Sequence, residues 1–142
     1  ELLKKIHMKK IICFIFVLFA VKTFSQEIIL PDQIFTIKVT EKNASGKTES
    51  MPMDELVMKA NQISATFSVK NGFTLVPYTV SQQGAPVSHL LDFTAESSNS
   101  QKDVLKWSGT INGNSVTGKA QRIRNGNPAG EYTFTGILKK KK

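Results

Sequence analysis

Residues 104–123, VLKWSGTINGNSVTGKAQRI, and 131–138, EYTFTGIL, decide the fold. Their apolar residues recur at every second position rather than at the helical 3.6. Leu105, Trp107 and Ile111 share one side of a strand over Val104–Ile111. Asn112-Gly113-Asn114 then reads as a hairpin turn, because Asn-Gly takes up the positive φ that tight hairpins demand. Ser115–Ile123 returns, Arg124–Gly130 is read as a longer loop, and Glu131–Leu138 closes with Tyr132 and Phe134 on one face. Three strands joined by local turns make a meander.

The same period continues toward the N-terminus. Phe35, Ile37 and Val39 alternate with Thr36, Lys38 and Thr40, the pattern of a half-buried strand. Asn43–Lys47 is a turn, and Glu55–Lys59 and Gln62–Thr66 read as short strands around Ala60-Asn61. Asp54–Ala60 also fits a helix, but its Val57 and Met58 suit a strand, which is preferred. Ala65–Asn71 can alternatively be one or two helical turns, stopped by Gly72. Phe73–Val80 follows as a strand in which Pro77 implies an edge or a bulge. Gln82-Gln83-Gly84 turns the chain into a strand over Val87–Ala95, and Glu96–Gln101 is a loop. Seven or eight strands with turn signals about every ten residues indicate an all-β fold. The expected architecture is an antiparallel up-and-down meander closing into a barrel of about eight strands, with at most one short helix. Closure removes the exposed edges.

Residues 8–26, MKKIICFIFVLFAVKTFSQ, carry a separate signal. Lys9 and Lys10 precede an apolar run, and Thr23 and Ser25 place small side chains before a cleavage point at Gln26, the pattern of a secretory signal peptide. The run is shorter than the roughly 20 apolar residues a spanning helix needs. The expected organisation is upstream read-through at 1–7, a signal peptide at 8–25, one barrel domain at 26–138 and a basic tail at 139–142. The expected location is periplasmic or extracellular, with no transmembrane segment once the signal is removed.

Removing residues 1–25 changes the charge. Lys and Arg fall from 19 to 14 and Asp and Glu from 11 to 10, so the net charge drops from +8 to +4, as many charges as Lys139–Lys142 carry. A nucleic-acid binder needs its Lys and Arg clustered on a folded face, so no nucleic-acid partner is expected. The one cysteine, Cys13, lies in the signal's apolar core, which leaves the exported domain without a disulfide. Such a domain is held by burial, and about 117 residues suffice for one core.

Lys70-Asn71-Gly72-Phe73 with Pro77-Tyr78, the run Trp107–Gly118 and Tyr132–Gly136 resemble a group of small exported bacterial barrels of unassigned function. In layout they are also similar to the calycins, the lipocalin and avidin type of barrel. The likeness covers roughly residues 53–138 and rests on turn glycines and barrel aromatics, so it implies a fold and no chemistry. A lipocalin carries Gly-x-Trp near its mature N-terminus, and Trp107 is the single Trp of this chain.

The polar residues form no catalytic set. Ser45-Gly46-Lys47-Thr48 mimics a phosphate-binding loop, but Glu41 stands where its first Gly belongs, and a hairpin turn is the reading. His89 is the one histidine of the exported part, too few for a zinc site. Asp32, Asp54, Asp92, Glu96 and Asp103 are scattered singly, without the paired carboxylates of a glycosidase. No catalytic residue, metal, cofactor or enzymatic activity is expected. The aromatics Phe35, Phe73, Tyr78, Phe93, Trp107, Tyr132 and Phe134 either fill the barrel or line a cup, since eight strands enclose side chains or one small ligand. Tyr78, Trp107 and Tyr132 are the candidate ligand-binding residues, each joining a polar handle to an apolar face. Trp107 is expected to be buried, with Gly109 and Gly118 making room for Trp107 and Phe134. Two functions follow: a barrel binding a small apolar or amphipathic molecule in its mouth, or an envelope module recognising protein or glycan through loops 42–50, 96–102 and 124–130.

Overall fold

The computed structural model describes residues 28–84 and 89–140. The upstream and signal-peptide readings fall on residues outside these, as do Lys141 and Lys142 of the tail. Among the described residues nine strands form in chain order: β1 (Gln33–Asn43), β2 (Thr48–Ser50), β3 (Asp54–Lys59), β4 (Gln62–Ala65), β5 (Val76–Gln82), β6 (Leu90–Ser98), β7 (Val104–Asn112), β8 (Ser115–Arg124) and β9 (Asn127–Leu138). One short helix, α1 (Thr66–Lys70), sits between β4 and β5. Among the described residues no helix is long and apolar enough to cross a membrane.

From β3 to β9 each strand pairs with the next, and β9 pairs back onto β1, so eight antiparallel strands close into a barrel. The closing seam runs from Phe35↔Leu138 to Asn43↔Gly130. On its other edge β1 pairs first with β3 and then, through Thr40–Lys42, with the extra strand β2.

The turns explain the hairpins. Asn43 Oδ1 accepts hydrogen bonds from the N–H groups of Ser45 and Lys47 at 3.1 and 3.0 Å, which makes the Ser-Gly-Lys-Thr stretch a hairpin turn. The expected long loop at 124–130 is corrected: β8 runs to Arg124, β9 starts at Asn127, and Asn125-Gly126 alone turns the chain with φ of 51° and 79°. Two consecutive positive φ values are what a tight hairpin of this hand requires. A register irregularity at Arg122/Ile123 leaves Ala129 without a partner, since Gly130 lies opposite Arg122 and Pro128 opposite Ile123.

The segment after β3 does both things the sequence allowed. Gln62–Ala65 is strand, and Thr66–Lys70 is helix, ending before Gly72 at φ 79°. Asp54 accepts hydrogen bonds from the N–H groups of Thr66 and Phe67 at 3.1 and 2.8 Å, satisfying two donors that a helix start leaves unpaired. The next strand begins at Val76 rather than Phe73, and β6 extends through Ser98, beyond the expected loop boundary.

Inward-facing side chains build one core. Phe35, Ile37, Leu56, Met58, Ile63 and Leu105 are all 0 % exposed, and Phe67 of α1 plugs one end at 2 %. At that end lie the turns at 43–48, 98–104 and 124–127. The segment Ile28–Pro31 lies at the opposite end, where Leu30 joins the core.

Candidate functional site

Tyr78 on β5, Trp107 on β7 and Tyr132 on β9 all face inward, exposed by 9, 3 and 3 %. Phe67 joins two of them: its ring lies 5.4 Å from that of Trp107 and 4.6 Å, stacked, from that of Tyr132. Phe134 flanks Trp107 at 6.1 Å. Burial first, then the nearby Glu41 charge, pushes the Tyr132 phenol pKa up. Burial also raises that of Tyr78, with help from Asp32, a residue near the opposite end whose Oδ1 accepts the Ala60 N–H at 3.0 Å. Trp107 and Tyr132 thus share the plug, whereas the Tyr78 phenol senses the other end.

The glycines work as expected in part. A Cβ on Gly118 would lie 2.7 Å from Phe134 Cζ, but one on Gly109 would strike Phe93 at 2.6 Å, so Gly109 makes room for Phe93 rather than for Trp107.

At the plugged end Asp103 carries two arginines. It is 1 % exposed, and Arg122 donates to its Oδ2 at 2.9 Å from Nε and 2.5 Å from a terminal nitrogen. Arg124 Nε lies 3.0 Å from Oδ1, and a terminal nitrogen 3.0 Å from Oδ2. Hydrogen bonds from Arg124 and then Arg122 hold the carboxyl at about 2. A general acid or base needs a pKa near the working pH; this carboxylate fastens the end of the barrel. Arg122 and Arg124, two residues apart on β8, reach the same carboxylate across the β7–β8 hairpin.

A depression with a volume of ≈ 810 Å3 lies on the outside. Two rows of polar side chains cross five strands there. One runs Asp92, Thr110, Thr117, Thr135, Lys38, and the next runs Thr94, Ser108, Lys119, Thr133, Thr40, each set in register. Phe93 and Phe134 line its floor with Gly109 and Gly118 and are themselves 1 % exposed. The signal was the recurring polar pair at i and i+2, which alternation alone reads as a solvated face.

A smaller depression of ≈ 370 Å3 opens at the end opposite the plug, lined by Ile28, Leu30, Leu91 and Ile111 with His89 and Gln33. Gln33 Oε1 is buried there without a hydrogen-bond partner. Among the described residues no group of three His, Cys, Asp or Glu could hold a metal ion.

In comparisons with known proteins, no family model, curated protein or solved structure matches this chain.

Proposed function

We propose that the protein is an exported, non-enzymatic recognition module whose partner binds its outside. The observation that carries this is the state of the interior. A ligand-sized hollow leaves the residues around it with accessible surface, and Trp107 and Tyr132, at 3 %, have almost none. The plug residue Phe67 occupies the place beside them that a ligand would need. Native mass spectrometry of the protein purified from its own host tests the reading. The expected result is the mass of the chain alone, with no uptake of a hydrophobic dye; an apolar molecule carried stoichiometrically would overturn it.

One observation favours a second reading, a small amphipathic ligand at the barrel mouth. The depression beside Leu30 pairs apolar walls with the unpartnered Gln33 Oε1, an acceptor suited to a ligand's single donor. Under this reading Gln33→Leu abolishes ligand retention in the same mass measurement, and retention by that variant would count against it.

A further inference from the structure

The outer depression narrows what could occupy it. Each Thr or Ser hydroxyl donates one hydrogen bond and accepts two. Neighbouring strands stand about 4.8 Å apart, so two rows over five strands present donors and acceptors at regular intervals across roughly 19 Å. That length exceeds a single sugar ring. A protein partner's hot spot calls for aromatic or Arg anchors, and here the only aromatics, Phe93 and Phe134, lie beneath the surface. A nucleic acid calls for clustered cations with stacking rings, which two lysines do not supply.

Charge completes the selection. Asp92 is already engaged, by Thr110 at 2.6 Å on Oδ1 and by Gln83 on Oδ2. Lys38 has no acidic partner among the described residues, and Lys119 reaches Glu131 only at 3.5 Å with 55 % of its side chain exposed. The charge left for a ligand is positive. We infer that this face binds a stretch of an acidic polysaccharide, sugar hydroxyls meeting the Thr and Ser rows and carboxylates meeting Lys38 and Lys119. The inference rests on the recognition-module reading and moves the contact from the loops to the sheet.

The test titrates the full chain calorimetrically with alginate hexamers, using uncharged cellohexaose as control. Alginate is expected to bind at least tenfold more tightly than cellohexaose, and to weaken as salt screens the lysines. Thr117→Val combined with Thr135→Val removes two hydroxyls while keeping shape and strand preference. That variant should lose at least tenfold in alginate affinity with its urea midpoint unchanged, and Lys38→Gln should shrink the preference for the charged chain. Equal binding of both sugars, no binding of alginate, or full affinity in the double variant overturns the inference. If affinity instead falls in Asn125→Ala, at the plugged end, recognition through the loops stands and the sheet face is excluded.

Discussion

A Cβ built on Gly118 would lie 2.5 Å from the Ser108 carbonyl oxygen and 2.8 Å from Gly109 Cα. Both obstacles are backbone of the neighbouring strand, which cannot swing aside as a side-chain tip can. Gly118→Ala should therefore cost about 1–3 kcal/mol, as overpacking does. The urea midpoint measures it, with Gly130→Ala as a milder control, since its Cβ would meet only Lys42 O at 3.4 Å. A midpoint for Gly118→Ala equal to the control's would mean that β7 and β8 stand farther apart. Asp103 makes a second prediction at this scale. Arg124 and Arg122 lower its pKa from 3.8 to about 2, so folding favours the ionised form. That stabilisation is complete above the unfolded value and is lost as pH falls through the folded one. Asp103→Asn should be less stable than the unaltered protein at neutral pH, and the two urea midpoints should converge as pH drops from about 4 to about 2. Parallel pH curves would contradict the assignment. The cluster was hidden in the sequence because Arg122 and Arg124 stand 19 and 21 residues from Asp103. Only the hairpin register brings them together.

Elements built from strict alternation were legible in the sequence: Phe35–Val39 and Leu105–Ile111 fall inside β1 and β7 with the expected faces buried. Boundaries set by distant partners were not. The Asp54 carboxylate that caps α1 comes from 12 residues upstream of Thr66, so the switch from strand to helix after Ala65 has no purely local signal. The turn at Asn125-Gly126 was overestimated because its Gly-, Asn- and Pro-rich flanks resemble loop, although they pair as strand. The weakest seam of the barrel also belongs to this scale. β4 and β5 share only Gln62↔Pro77 and Ile63↔Val76, whereas β7 and β8 pair from Val104↔Ile123 to Asn112↔Ser115. Pro77 has no N–H to give, yet β5 pairs with β4 and with β6 without a register shift, so the edge or bulge expected there is corrected. Local opening follows sparse hydrogen bonding. Amide exchange should therefore release β4 and the first residues of β5 well before the centre of β8. Equal protection of the two regions would contradict this ranking.

At the scale of the molecule, closure was foreseen from local turns and the need to remove edges, and the β1–β9 seam accomplishes it. Whether the aromatics fill or line the interior could not be read from one dimension, since both arrangements place them on the same inward positions. The plug decided it: Phe67 on a five-residue helix enters the barrel and stacks on Tyr132. With no interior surface left beside Trp107, the recognition proposed for this protein is assigned to the exterior, where the polar rows lie. The central claim is that the barrel is filled around Trp107, and as the chain's one tryptophan it reports on that interior alone. Its fluorescence should be blue-shifted, should resist acrylamide quenching until urea unfolds the protein, and should not change when long-chain fatty acids are added. Red-shifted emission with ready quenching in the folded state, or a saturable change on adding fatty acid, would show a hollow beside Trp107 and contradict the account.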